Sequence, residues 1–197
     1  MVDLIEVMET TVINRRNNIH PHKFALWAAM ASITMMFGAF TSAFIVKQAS
    51  GNWLEFSMPN IFYISTLVII ASSVTLHTSF RMFKSHHERA YKSLLLLTFV
   101  LGILFIALQY FGWLALYDKG VDLKGNVSGS FFYLLSGIHA LHVLGGIAAI
   151  GVALLHAYTL KFNVTAQRIN RFDLVVNYWH FVDMLWLYLF LFLLISK

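Results

Sequence analysis

The chain of 197 residues contains no cysteine, two prolines and few charged side chains. Without cysteine it forms no disulfide framework, no thiolate-ligated zinc or iron–sulfur site and no cysteine nucleophile. Charged residues make up 12% of the chain, well below the roughly 25% of a typical soluble domain. Hydrophobic residues make up 59% and aromatic residues 16%, which excludes a disordered chain. This composition argues against a soluble globule.

The apolar residues are gathered into five long segments that carry almost no charge. About 20 helical residues cross the hydrocarbon core of a bilayer, and the backbone amides there must be paired internally. The segments do not alternate polar and apolar residues as barrel strands do. The sequence therefore predicts an all-α, polytopic membrane helix bundle that forms a single membrane domain over residues 1–197. Its five transmembrane helices are expected at about residues 24–46, 60–80, 93–117, 129–160 and 174–196.

The distribution of basic residues predicts how this bundle is oriented. Residues 1–23 form a polar N-terminal segment without the apolar run of a cleavable signal peptide. Ten of the 14 Lys and Arg residues lie in this segment and in the second and fourth loops. The positive-inside rule then places the N-terminus inside and the C-terminus outside. Because the net charge of +5 is scattered over short loops, no nucleic-acid partner is expected.

Ionisable side chains within the segments are few, and each needs a partner or a purpose because its burial in a membrane is costly. His139 and His142 stand at i and i+3, so they share a helix face. They are either a metal or haem ligand pair or two neutral imidazoles bonded to neighbouring helices. A zinc site needs three or four ligands, and only His180 and Asp183 could complete one. The remaining intramembrane imidazoles are His77 and His156.

Two further functional classes can be weighed from the spacing of these residues. His142 and His156 are 14 residues apart on one helix, a spacing similar to that of the haem ligands in membrane b-type cytochromes. A second helix with a matching pair is missing, so a b-haem-binding electron-transfer anchor is a rival hypothesis only. A small transporter would have helices broken at mid-membrane. No proline follows Pro59, which argues against this class.

The fifth segment contains the most informative stretch, NYWHFVDMLWLYLF. Its His180 and Asp183 stand at i and i+3, and Trp179, Asp183 and Trp186 form one stripe. The simpler interpretation is a His180–Asp183 contact or a hydrogen bond to a neighbouring helix. The alternative is a proton relay or a lipid-headgroup site.

Two motifs in the last two segments match one known family in order and spacing. After Phe132-Tyr133, the first comprises Gly137, His139, His142, Val143 and Gly146. After a basic loop and Asp173, the second is Tyr178-Trp179-His180-Phe181-Val182-Asp183 with Trp186-Leu187. In these residues the chain resembles subunit III of the haem–copper terminal oxidases, the cytochrome c oxidase type. The five segments correspond to the short form of that subunit.

The resemblance implies a non-catalytic subunit of a proton-pumping oxidase that reduces O₂ to water. Such a subunit binds no haem or copper. It packs against the catalytic subunit I, and subunits I and II are the expected partners. A larger respiratory supercomplex is a further expected partner. Such a subunit binds phospholipid, supports proton uptake and stabilises the complex. For this chain the expected location is a bacterial inner membrane. The resemblance marks a structural, lipid or subunit-interface cluster: His139, His142, Asp173, Tyr178, Trp179, His180, Asp183 and Trp186.

The sequence departs from the family pattern at two positions. A buried glutamate commonly found in the first retained helix aligns with Ile33, and the acid before the second motif is Asp173 where Glu is common. No mechanism resting on that glutamate is expected here. Four histidines outside the segments, on the side predicted to be inside, form a hypothetical proton antenna, because imidazoles titrate near neutral pH. They are His20, His22, His86 and His87.

A rival within the family remains open. An accessory subunit of a quinol oxidase or of a nitric oxide reductase has the same fold and motifs. Because the electron donor is fixed by other subunits, the sequence of this chain does not distinguish these cases.

Overall fold

The computed structural model describes residues 21–49, 53, 57–121 and 126–196, which form five helices and no strands. Each helix is long and apolar enough to cross a membrane. The predicted five-helix membrane fold is therefore confirmed. The helices are α1 (Pro21–Gln48), α2 (Ile61–Lys84), α3 (Glu88–Tyr117), α4 (Val127–Thr159) and α5 (Ala166–Ile195).

Short polar residues set the ends of several helices. The Asn126 side chain accepts a hydrogen bond from the Ser128 N–H at 2.9 Å and so caps α4. Thr165 caps α5 in the same way. Such side chains satisfy amides that have no partner within the helix. After α3, Gly120 adopts a φ of +79°, a left-handed conformation that costs glycine little and ends the helix sharply.

Basic residues are concentrated at one end of the bundle, which we call the basic end. Here α2 and α4 finish, and α1, α3 and α5 begin. In α3, Glu88 and Lys92 form an ion pair of 2.6 Å one turn apart. The orientation of this end relative to the membrane stays a prediction. Its basic side chains are Lys23, Arg81, Lys84, Arg89, Lys92, Lys161, Arg168 and Arg171.

Four of the helices pack around one core, and the first helix lies against its side. Helix α2 contacts α3 and α5, and α4 contacts the same two helices. Helix α1 contacts only α4 and α5, and it buries only Phe37, Thr41 and Phe44. Because α1 and α2 flank α5 without touching each other, the outer face of α5 is left open between them. We call this open face, with Asn177 and Met184 on its floor, the α5 groove.

Candidate functional site

The two tryptophans of the second motif are anchored to α2. The indole N–H of Trp179 donates to the Ser72 hydroxyl, and that of Trp186 donates to the Thr66 hydroxyl, each at 3.0 Å. Both rings are almost completely buried. A buried indole N–H needs a hydrogen-bond acceptor, and the α2 hydroxyls supply it. These contacts join α5 to α2 through the middle of the bundle.

The acceptors on α2 repeat along the helix. Ser65, Ser72 and Ser79 are spaced by seven residues, as are Thr66 and Ser73, so they all lie along one side of α2. Thr66 and Ser72 donate their own hydroxyl protons to backbone carbonyls one turn back, each at 2.7 Å. Their oxygens are then available to accept the indole protons. We call the row Ser65, Thr66, Ser72, Ser73 and Ser79 the polar seam.

The seam also binds α3. The Gln109 side-chain amide donates to Ser65 at 3.2 Å, and the Ser79 hydroxyl donates to the Tyr91 carbonyl at 3.0 Å. Hydrogen bonds between side chains and small residues that allow close approach are the usual means of joining helices in lipid, where no hydrophobic force acts between them. The seam was not predicted from the sequence. The seven-residue spacing of the hydroxyls on α2 is the sequence pattern that could have predicted it.

His180 and Asp183 both lie near the seam but have different surroundings. The half-buried His180 shares a hydrogen bond with Ser73, and its ring centroid is 5.8 Å from that of the exposed His77. Asp183 is buried, and within the described part of the chain neither of its oxygens forms a hydrogen bond. The Ser73 hydroxyl lies close to it. His180 therefore bonds to a neighbouring helix, and no hydrogen bond to Asp183 is formed.

The two histidines of the first motif do not converge on a common centre. His139 is buried against Trp186 of α5 and Phe105 of α3, with centroid distances of 5.1 and 6.1 Å. His142 is half-buried and its ring meets Phe37 of α1. Its backbone carbonyl accepts a hydrogen bond from the Tyr178 hydroxyl at 3.1 Å. Among the described residues, no three His, Asp or Glu side chains are grouped closely enough to hold a metal ion.

Asp173 is the acid of the cluster that lies at the basic end. Its carboxylate pairs with Lys23 at 2.6 Å and so ties the start of α1 to α5. On α1, Ile33, near which the family glutamate is expected from the resemblance, packs against the apolar core.

The histidines of the hypothetical proton antenna lie partly within the described residues. His22 is exposed at the beginning of α1, and His86 and His87 are exposed in the turn between α2 and α3. His20 lies outside the described residues. The three antenna imidazoles that the structure describes, His22, His86 and His87, therefore all lie at the basic end.

A cavity of about 260 Å³ opens at the basic end between α4 and α5, with Phe83 of α2 and Tyr91 of α3 also in its wall. Its wall is mostly apolar, with Arg168, Arg171 and His156 at the polar side. The Arg168 guanidinium donates to the Lys161 and Asn163 carbonyls, which fixes the loop before α5. Arg171 is exposed and forms no ion pair within the described residues. The cavity could accommodate an apolar chain beside a positive charge.

The fold and the site together define a class of protein. Five membrane-crossing helices are joined by hydrogen bonds between buried polar side chains, and the described residues contain no metal-ligand cluster. The class that the fold defines is an all-helical, five-span integral membrane protein whose buried polar side chains join its helices.

Comparison with known proteins identifies the family. The family model for cytochrome c oxidase subunit III matches residues 23–196. The chain belongs to this family, so the resemblance seen in the two motifs is confirmed.

Relatives come from bacteria and from animals. The chain is 28% identical to the cytochrome c oxidase subunit 3 of Corynebacterium diphtheriae, over 96% of this chain and 93% of that protein. It is 30% identical to a "Probable cytochrome c oxidase subunit 3" of Nocardia farcinica, over 82% of this chain and 81% of that protein. It is also 31% identical to the subunit 3 of Loxodonta africana, over 65% of this chain and 47% of that protein.

Proposed function

We propose that this chain acts as the subunit III of a proton-pumping cytochrome c oxidase in a bacterial inner membrane. The observation that carries the proposal is the family match, which runs from the first helix to the end of the last one. In this assignment a catalytic subunit I and a subunit II carry the haem and copper and reduce O₂ to water. This chain, a single membrane domain, contributes no catalytic residue and packs against subunit I. Association with a larger respiratory supercomplex belongs to the same proposal.

The internal architecture supports a structural role. The polar seam fixes α2 to α3 and α5, and His139 fills a gap between three helices without a hydrogen bond of its own in the described part of the chain. A rigid companion of this kind can stabilise a redox subunit without exchanging electrons. Because Ile33 offers no carboxyl group, support of proton uptake by this chain has to use other residues.

The test is purification of the tagged chain from its own membranes in a mild detergent. We expect it to retain haem-bearing subunits, with a Soret band and oxidation of reduced cytochrome c by the complex. The same chain separated from its partners should have no Soret band. A Soret band stoichiometric with the isolated chain would instead indicate the haem-binding anchor. Oxidation of quinol but not of cytochrome c would indicate an accessory subunit of a quinol oxidase. Reduction of nitric oxide would indicate an accessory subunit of a nitric oxide reductase.

Phospholipid binding forms a second part of the proposal, and the cavity at the basic end supports it. Arg171 lines that cavity, whereas Lys161 is an exposed cation of the same end that does not. We expect Arg171→Gln to lower the amount of phospholipid retained by the purified complex, and Lys161→Gln to leave it unchanged. Phosphorus analysis or native mass spectrometry measures the bound lipid. Equal retention in both variants would remove the assignment of lipid to this cavity.

The proton antenna is a third part of the proposal. His22, His86 and His87 are exposed at the basic end, and exposed imidazoles exchange protons rapidly near neutral pH. We expect that replacing these three and His20 with Asn slows steady-state proton uptake by the complex, most visibly at high pH. Unchanged uptake by the purified variant at high pH would remove the antenna and would leave the subunit assignment intact.

A further inference from the structure

The face of the bundle between α1 and α2 carries polar side chains within the membrane-crossing part. His77 is exposed on α2, about 10 Å along the axis from the last residue of that helix, Lys84. Its ring lies beside that of His180, and within the described residues it forms no hydrogen bond of its own. Asn177 is exposed one turn from His180 on α5. Polar groups in such positions are costly in hydrocarbon and normally face protein or water.

These residues border the α5 groove. On one side α1 holds α5 through a hydrogen bond of 2.9 Å between Thr41 and Tyr188. On the other side α2 holds α5 through Ser73 and His180. Between these two contacts α5 remains open, and Met184 at its centre is 70% exposed. The groove is thus an exposed face of α5 between two neighbouring helices, with imidazoles on its α2 side.

The opposite face of the bundle has a different composition. Helix α3 does not contact α5, so its outer face points away from the groove. The large hydrophobic side chains exposed along its middle are aliphatic: Leu96, Leu97, Val100, Ile103 and Leu104. Such a surface suits lipid chains, which cannot form hydrogen bonds. The groove also exposes apolar side chains such as Val74 and Met184. It differs from the α3 face in exposing His77 and Asn177, polar groups that lipid chains cannot hydrogen-bond.

We propose that the α5 groove is the docking surface for a transmembrane helix of a neighbouring oxidase subunit. That helix presents a hydrogen-bond acceptor, such as a carboxylate, a hydroxyl or an amide oxygen, to His77 and His180. This inference rests on the proposed function and specifies which face meets the partner. An acyl chain would leave His77 and the second ring nitrogen of His180 without a partner, whereas a helix with one polar side chain covers the groove and offers them one.

Photocrosslinking of the whole complex tests the surface. A benzophenone amino acid at Val74, one turn from His77 on the same face of α2, probes the groove. The same probe at Val100 is the matched control, because it replaces the same residue type at a similar exposure, 51% against 61%. We expect light to join the Val74 probe to a transmembrane segment of another oxidase subunit. The Val100 probe is expected to give lipid adducts or none.

The possible failures can be told apart. Only lipid adducts from Val74, an adduct to a second copy of this chain, or equally frequent subunit adducts from Val100 would overturn the docking surface. Co-purification of haem-bearing subunits in the same sample would show that the subunit assignment still stands. If the unaltered chain brings down no haem-bearing subunit, the proposed function itself fails.

A substitution pair tests the polar match. His77→Leu removes the hydrogen-bonding group, whereas His77→Asn keeps a donor of smaller size. We expect His77→Leu to lower the fraction of partner subunit retained in detergent by about threefold, the effect of losing one interhelical hydrogen bond in a membrane. His77→Asn should retain most of the partner. If both variants retain as much as the unaltered chain, the imidazole does not face a polar partner and the inference is wrong.

Discussion

Gly146 lies directly against the Trp179 ring, and this contact decides how closely α4 and α5 approach. A Cβ atom added at Gly146 would lie 2.8 Å from Cε3 and 2.9 Å from Cζ3 of that ring. Both atoms belong to a rigid indole that is itself fixed by Ser72. The glycine of the first motif and the tryptophan of the second motif are therefore parts of one contact.

We expect Gly146→Ala to destabilise the bundle by about 1–3 kcal/mol, because the indole has to shift within a packed core. Gly137→Ala is the control, since nothing lies within 4 Å of the added Cβ there. Unfolding of the two variants in sodium dodecyl sulfate, followed by circular dichroism, compares their stability. Equal midpoints for the two would contradict the assigned contact.

A double-mutant cycle measures one hydrogen bond of the seam. Trp186→Phe removes the donor and Thr66→Val removes the acceptor while keeping its shape. We expect a coupling of about 0.6 kcal/mol between the two changes, the average for interhelical hydrogen bonds in a membrane. The same unfolding titration provides the measurement. Strictly additive effects would mean that the indole N–H contributes nothing to stability at this position.

Individual residues were only partly predictable from the sequence. The cost of polar groups in lipid identified His139, His180 and Asp183 without a structure, because the rule depends only on residue type and segment. Their partners could not be predicted, since serine and threonine usually bond within their own helix. Only the packing shows that Ser72 and Ser73 face α5.

At the level of elements, α1 is the helix held least firmly. It buries one narrow side, and the Lys23–Asp173 ion pair fixes its beginning. Both side chains are partly exposed, so the pair contributes up to about 1 kcal/mol. The first turns of α1 should therefore respond to loss of the pair while the other helices stay in place.

We expect Lys23→Gln to broaden the distance distribution between the beginnings of α1 and α5. Because the chain has no cysteine, spin labels on Ala28→Cys and Gln167→Cys report that distance by pulsed electron spin resonance. The exchanged pair, Lys23→Asp with Asp173→Lys, should restore the narrow distribution. An unchanged distribution in Lys23→Gln would mean that apolar contacts alone position α1.

The existence of the helices was predictable, but their ends were less so. Runs without charge identify the part of each helix that lies in hydrocarbon. Helices α3 and α5 begin earlier than those runs, at Glu88 and Ala166. Charged residues can continue a helix beyond the hydrocarbon, where water and headgroups solvate them, so absence of charge does not detect these turns.

For the whole molecule, the positive-inside rule predicts that the basic end faces the cytoplasm. Ser57 and Ser85 are exposed serines at opposite ends of the bundle. We expect a membrane-impermeant maleimide to label Ser57→Cys in intact spheroplasts, and to label Ser85→Cys only after the membrane is permeabilised. The reverse labelling pattern would show that the predicted orientation is wrong, and it would not affect the description of the fold.

The neighbours of each helix could not be read from the sequence. Hydropathy gives five spans in order but contains no information about which spans touch, because large apolar side chains occur both in the core and on the outer surface of the bundle. The contact of α1 with α4 and α5, and its separation from α2, depend on particular side chains such as Phe37 and Thr41.

That arrangement has a consequence for biosynthesis. Of these five helices the ribosome produces α1 first, yet the two helices on which it packs are the last of the five to emerge. The nascent chain must therefore keep α1 in the bilayer or against an insertion factor until α4 and α5 have been inserted. A chain arrested after α3 would leave Lys23 without Asp173 and the Phe37 side of α1 without the helices that cover it.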